Sequence, residues 1–135
     1  MLAAVLHLLV IFGGPDWYRF FGAGEQMAQA AERGSWLPPA VTLAIAAVLV
    51  IWALYAFSGA GRVGRMPLLR TGLVVIAAIY LLRGIVLIPA LVRAAYPGST
   101  FDIVSSAIVL VYGAAYAIGT WQAWPALSPR RSAAA

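Results

Sequence analysis

The uncharged stretch Leu37–Phe57, LPPAVTLAIAAVLVIWALYAF, decides the fold class of this chain. A helix that crosses a bilayer needs about 20 predominantly apolar residues, and this run reaches that length without one charged side chain. Pro38 and Pro39 stand at its start, where proline suits the first turn of a helix. The stretch therefore predicts a transmembrane helix.

The composition of the whole chain also indicates a membrane environment. Of the 135 residues, 64% are apolar and 10% are charged, and the mean hydropathy is +0.93. Such a chain has too little polar surface to cover a water-soluble globule. The length leaves room for three to four spans with short connections, so we expect any function to lie within the bundle or at its rims.

Three further apolar runs predict the remaining spans. Residues 68–92 and 103–124 are both long enough to cross a bilayer, and the second ends in tryptophans typical of a membrane interface. Residues 2–21 predict a first span whose end is left open, because the Gly13–Pro15 turn signal interrupts it. The predicted domain organisation is a single bundle over residues 1–127 and a cytoplasmic tail over residues 128–135.

The segment between the first two predicted spans differs in character. Its aromatic cluster, WYRFF at residues 17–21, precedes a stretch of good helix formers that ends at Gly34. Such a segment is typical of a helix lying at the interface or of a re-entrant turn. The predicted fold class is thus an all-α membrane protein, a four-transmembrane-helix bundle with an interfacial or re-entrant segment between helices 1 and 2.

The distribution of arginine predicts the orientation, because short cytoplasmic loops are enriched in positive residues. The opposite side of the predicted bundle carries three arginines and all four acidic residues of the chain. The loop after the second span and the C-terminal tail carry five arginines and no acid: Arg62, Arg65, Arg70, Arg130 and Arg131. We therefore expect a multi-pass protein of a bacterial inner (plasma) membrane, with both termini cytoplasmic.

Arg83 is the most informative single residue, because it interrupts the third span. It lies roughly 22 Å from Leu68 and roughly 14 Å from Val92, which places it near the middle of a hydrocarbon core about 30 Å thick. An arginine there costs on the order of 3 kcal/mol and usually faces the bundle interior. Asp102, at the outer start of the fourth span, is the predicted partner.

A polar stripe on the fourth span predicts where Arg83 points. At about 100° per residue, the stripe occupies one face of that helix, and Tyr80 lies one turn before Arg83 on a similar face of the third span. Glu25 could reach the same place if its segment is re-entrant. The stripe consists of Asp102, Ser105, Ser106, Tyr112, Gly113, Tyr116 and Thr120.

Two interpretations of this arrangement stay open. In the first, Arg83 and a carboxylate form a structural pin, and the small residues permit close helix packing. In the second, the residues line an outward-facing pocket for a lipid-like or anionic small ligand, because an ionisable residue inside a membrane favours a functional site. The predicted ligand-binding residues are Arg83, Tyr80, Asp102, Ser105, Ser106, Tyr112, Tyr116 and Glu25.

The residue inventory narrows the function classes. The chain has no cysteine and one histidine, so we expect no metal, haem or other cofactor, and the few carboxylates fall on no recognised catalytic spacing. The basic residues form no polar run, so nucleic acid is not an expected partner. The sequence favours a ligand-binding bundle or minimal transporter, with membrane lipids and a homo-oligomeric copy as partners. The alternative is an accessory subunit of a larger membrane complex, with Arg83 as its ion-pair residue.

Overall fold

A computed structural model describes residues 1–85 and 100–127, and all regular structure in these residues is helical. The helices are α1 (Leu2–Phe20), α2 (Glu25–Glu32), α3 (Leu37–Gly59), α4 (Leu69–Ile85) and α5 (Thr100–Gln122). The prediction of an all-α fold is confirmed. Residues 86–92 of the third predicted span and the predicted tail, 128–135, lie outside the described residues.

Two of the described helices are long and apolar enough to cross a membrane. They are Leu37–Gly59 and Phe101–Gln122, which contain most of the second and fourth predicted spans. The helix α4 is described over 17 residues, and α1 over 19. At about 1.5 Å per residue the continuous helix α4 rises roughly 25 Å.

The first predicted span is interrupted where the sequence indicated a turn. Within α1, Gly14 has φ 67° and ψ −156°, so the helix breaks there and resumes at Pro15. Pro15 therefore opens a new helical turn, a position in which its missing N–H leaves no hydrogen bond unmade. The chain then stays helical to Phe20, and the aromatic cluster belongs to the end of α1.

Glycine ends α2 and α3 in the same way. After α3, the N–H of Gly61, which has φ 69°, bonds the carbonyl of Ser58, and the next N–H bonds the carbonyl of Phe57. After α2, the N–H of Gly34 bonds the carbonyl of Ala31, and the N–H of Ser35 bonds the carbonyl of Ala30. This left-handed cap provides hydrogen bonds to the last carbonyls of a helix. It requires a positive φ, which glycine adopts without steric cost because it has no Cβ.

The chain divides into two compact units, with boundaries inside α3 and α5. The first contains residues 1–53 and 100–105 of the described chain. In it, α1 packs against α2 through a core formed by Val10, Tyr18 and Ala28. The side chain of Tyr18 is 2% exposed, and its hydroxyl lies 3.4 Å from that of Thr42.

The second unit contains residues 54–85 and 106–127 of the described chain. Its core is formed by Leu69, Leu73 and Leu127, with Tyr55 and Tyr116 packed around them. These residues come from the end of α3, the start of α4, the C-terminal half of α5 and the turn that follows it. Most of the predicted site residues lie in this unit.

Candidate functional site

Two glycines let α4 and α5 pack closely in the second unit. A Cβ built at Gly84 of α4 would lie 2.3 Å from the Leu110 side chain of α5. A Cβ built at Gly113 of α5 would lie 2.9 Å from the backbone nitrogen of Leu81 in α4. Each helix therefore offers a glycine to a leucine of the other, which is the small-residue contact that favours close helix approach in membranes.

Three tyrosines lie beside this contact. The ring of Tyr80 in α4 has its centroid 6.0 Å from that of Tyr112 and 5.6 Å from that of Tyr116, both in α5. The rings are tilted against one another, a geometry favoured by aromatic quadrupoles. These three tyrosines, all of them predicted site residues, therefore lie together on one side of the α4 and α5 pair.

Arg83 lies one helical turn beyond this tyrosine cluster. Its Nη1 donates a hydrogen bond of 3.4 Å to the hydroxyl of Ser106, a residue that is 4% exposed. The arginine side chain is itself exposed on the surface of the single chain. The structure therefore brings together five of the eight predicted site residues: Arg83, Tyr80, Ser106, Tyr112 and Tyr116.

The other three predicted residues belong to the first unit. The hydroxyl of Ser105 donates a 3.2 Å hydrogen bond to the backbone carbonyl of Asp102, at the start of α5. Nearby, the ring of Phe101 packs edge-on against that of Phe21, with centroids 5.7 Å apart. The pairing of Arg83 with Asp102 would join the two units and stays a prediction.

Glu25 lies in a charged cluster around Arg19. The Nε and Nη2 atoms of Arg19 each donate a 2.9 Å hydrogen bond to one oxygen of the Glu25 carboxylate. Nη2 also lies 2.7 Å from Glu32, and Nη1 lies 3.3 Å from Asp16. Hydrogen bonding to Arg19 lowers the pKa of Glu25 because it stabilises the ionised carboxylate. The role of Glu25 at Arg83 stays a prediction.

A cavity lies at the other end of the tyrosine cluster, within the second unit. Its volume is about 510 Å³, and Tyr116 is the one predicted site residue on its wall. The rest of the wall is contributed by the C-terminal parts of α3 and α5 and by Leu73 of α4. The lining residues are Ala56, Gly59, Ala60, Leu73, Ala115, Tyr116, Gly119, Thr120, Gln122 and Ala123.

Two features of this arrangement were not predicted from the sequence. The Arg19 cluster was partly visible as the i, i+3 pair of Asp16 and Arg19, but Glu32 lies 13 residues away and reaches Arg19 only through the turn between α1 and α2. The cavity was indicated only by small residues at helical spacing along α5, a weak signal in an alanine-rich chain.

Comparison of the chain with protein-family models, with curated proteins and with solved structures found no match.

Proposed function

We propose that this chain is a four-span protein of a bacterial inner membrane, with both termini cytoplasmic. The observation that supports a membrane environment is the exposure of its apolar helices. Only 17% and 11% of the most apolar 18 residues of α3 and α5 are buried. A core helix of a water-soluble protein would be mostly buried, because large exposed apolar surfaces are rare in soluble monomers.

The contacts at the ends of α4 and α5 support opposite crossing directions. Arg65, in the loop before α4, hydrogen-bonds the backbone carbonyl of Leu127, just after α5. Arg70, at the start of α4, donates a 3.3 Å hydrogen bond to the backbone carbonyl of Trp124. Its guanidinium carbon lies 3.9 Å from the centroid of the Trp124 ring. The start of α4 and the end of α5 therefore lie on the same side, the side that the arginine count predicts to be cytoplasmic.

We propose that Arg83 binds the negative group of a lipid-like or anionic small molecule. The observation that carries this proposal is the combination of the Arg83–Ser106 hydrogen bond with the exposure of the arginine. A guanidinium has five N–H donors, and the buried hydroxyl orients it while other donors stay accessible. Arg83 falls near the middle of the predicted third span, where an ionisable residue is by default a site hypothesis. The three tyrosines would pack beside the apolar part of the ligand.

A binding experiment on the full chain in phosphatidylcholine nanodiscs tests this proposal. The probe is dansyl-undecanoic acid, and its neutral amide is the matched control for charge. We expect Arg83→Gln to weaken binding of the acid about tenfold or more, equivalent to about 1.4 kcal/mol, and to leave the amide unchanged. Arg62→Gln, which changes the same residue type in the loop, should leave both unchanged. Equal binding of the acid to wild type and Arg83→Gln would overturn the proposal.

A second candidate function is that of an accessory subunit in a larger membrane complex, and the surface around Arg83 favours it specifically. The neighbouring side chains Leu82 and Ile85 are 63% and 50% exposed, so Arg83 emerges from an apolar surface. A partner helix could cover this surface and supply a carboxylate to the arginine. Co-purification in mild detergent distinguishes the two: a stoichiometric larger protein supports the subunit, and a retained amphiphile supports the ligand-binding protein.

A further inference from the structure

Charge is distributed unevenly between the two units of the chain. All four acidic residues belong to the first unit. The described part of the second unit contains no acidic residue and four arginines: Arg62, Arg65, Arg70 and Arg83. The first three lie in the loop between α3 and α4 or at the start of α4. That end of the second unit therefore carries positive charge that no described carboxylate of the unit compensates.

The end of α3 holds one of these arginines in place. The hydroxyl of Ser58 donates a hydrogen bond to the carbonyl of Gly64 and accepts one from the N–H of Met66, each at 3.0 Å. Arg65 stands between those two residues, so its backbone is fixed against the end of α3. A charged group that is already positioned loses less conformational freedom when it binds an anion.

Two guanidinium groups contact the turn that follows α5. Nη2 of Arg65 donates a hydrogen bond to the backbone carbonyl of Leu127, and Nη2 of Arg70 donates one of 3.3 Å to that of Trp124. The guanidinium of Arg70 also lies over the Trp124 ring. The two carbonyls are three residues apart, and the N–H of Leu127 closes the turn on the carbonyl of Ala123 at 3.0 Å. Two positive charges are thus held at one turn of the backbone.

The partners of these two arginines do not neutralise them. Neither arginine makes an ion pair with a described residue. The carbonyl end of a helix carries roughly half a negative charge, against two positive charges here. The Nε of Arg70 is buried, but Arg65 is exposed and uses one of its five N–H donors at Leu127. The turn therefore has net positive charge and donors that an anion can reach.

Two large apolar side chains are exposed at the same end of the unit. Leu68 precedes α4, and Trp121 lies in the last turn of α5. Each is 79% exposed on the single chain. Tryptophan is enriched at the level of the lipid head groups, where apolar and charged groups of a lipid meet. A ligand for this end therefore needs both an anionic group and apolar chains.

We propose that Arg65 and Arg70 bind the phosphate of an anionic phospholipid whose acyl chains lie against Leu68 and Trp121. A guanidinium matches a phosphate through charge-assisted hydrogen bonds. A zwitterionic lipid is disfavoured because its own cation balances its phosphate. The inference rests on the membrane location proposed above, and it does not depend on a ligand at Arg83.

Native mass spectrometry of the full chain, extracted from membranes in mild detergent, tests the site. The probes are phosphatidylglycerol and phosphatidylcholine with the same acyl chains. We expect phosphatidylglycerol to bind at least about tenfold more tightly, as hydrogen bonds between charged groups allow. Arg65→Gln should reduce phosphatidylglycerol binding to within about twofold of phosphatidylcholine binding. Equal binding of the two lipids to the wild type would overturn the proposal.

Arg62→Gln is the matched control for a specific site. It removes the same charge from the same loop, but the Arg62 side chain makes no contact with the described turn after α5. Its loss should change phosphatidylglycerol binding less than about twofold. Equal losses in Arg62→Gln and Arg65→Gln would show a diffuse positive surface and would contradict the site.

A carboxylate placed in the turn tests the site while both arginines stay in place. Ala126 is exposed and lies between the two carbonyls that the arginines contact. Ala126→Glu supplies an internal anion and should weaken phosphatidylglycerol binding about fivefold or more. Ala126→Gln, its neutral counterpart, should leave binding unchanged. Equal binding by these two variants would overturn the proposal, even if Arg65→Gln fails to fold.

Three further outcomes identify the ligand and its place. The free head group glycerophosphoglycerol, in large excess, should not displace the lipid, and displacement would overturn the assignment to a lipid. Arg83→Gln should leave phosphatidylglycerol binding unchanged, and a loss there would contradict the site at Arg65. Recovery of the chain in the soluble fraction of cells would overturn the membrane location itself, whereas equal binding of both lipids by the membrane-extracted chain would overturn this site alone.

Discussion

Arg19 binds both carboxylate oxygens of Glu25, each through a hydrogen bond of 2.9 Å, and so ties the end of α1 to the start of α2. The bidentate geometry is the one that best matches a guanidinium to a carboxylate. The same guanidinium reaches Glu32 at the end of α2. The short helix α2 is thus held to α1 at its two ends by one side chain, in addition to the apolar contacts between the helices.

The Arg19–Glu25 contact should make the stability of the first unit dependent on pH. Hydrogen bonding to Arg19 lowers the pKa of Glu25 in the folded chain. The stabilisation that the Arg19–Glu25 contact gives the folded chain is therefore fully present above the pKa of Glu25 in the unfolded chain, about 4.3. This stabilisation is lost as the pH falls through the lower pKa of Glu25 in the folded chain. We expect the melting temperature in detergent micelles, measured by tryptophan fluorescence, to fall more between pH 5 and pH 3 in wild type than in Glu25→Gln. Because the other carboxylates are common to both proteins, equal falls would contradict this prediction.

Ser58 should stabilise the loop between α3 and α4. Its hydroxyl donates a 3.0 Å hydrogen bond to the carbonyl of Gly64 and accepts one of 3.0 Å from the N–H of Met66. The serine is 6% exposed, whereas Gly64 is exposed and Met66 is half-buried, so water can replace part of what Ser58→Ala removes. We expect the free energy of unfolding to fall by about 0.5–1.5 kcal/mol in chemical denaturation. Ser35→Ala is the control, because Ser35 is less buried than Ser58 and its hydroxyl accepts one bond of 3.3 Å, so the loss of this hydroxyl should cost less.

The sequence predicted the helices well because their cause is local. An apolar run such as Leu37–Phe57 needs no partner to be recognised, and the observed α3 extends it by two residues, to Gly59. The polar stripe on the fourth span also placed Tyr112, Tyr116 and Ser106 on the side of α5 that contacts α4, since one face of a helix follows from residue spacing alone.

The charged cluster and the cavity could not be predicted because their causes are not local. Glu32 meets Arg19 only after the chain has turned between α1 and α2, and sequence spacing does not specify that turn. The cavity depends on which small residues have a side chain of a neighbouring helix packed against them and which do not. Gly113 and Gly119 look alike in the sequence, yet one contacts Leu81 and the other borders empty space.

That difference between the two glycines predicts a difference in stability. Gly113→Ala would place a methyl group 2.9 Å from the backbone nitrogen of Leu81, so α4 and α5 would have to separate. Overpacking of this kind costs about 1–3 kcal/mol. Gly119→Ala, in open space, should be neutral or slightly stabilising because alanine is the better helix former. Denaturation of both variants in the same detergent checks this, and equal stabilities would contradict the close contact of α4 with α5.

The proposed orientation can be tested without background because the chain has no cysteine. Ser35, which is partly exposed, precedes α3, and Gly64, which is exposed, follows it. If α3 crosses the membrane with the arginine-rich loop inside, a membrane-impermeant maleimide added to spheroplasts should label Ser35→Cys and leave Gly64→Cys unlabelled until the cells are lysed. Labelling of Gly64→Cys alone would reverse the orientation. Labelling of both on intact spheroplasts would show that α3 does not cross, and the four-span arrangement would then be wrong.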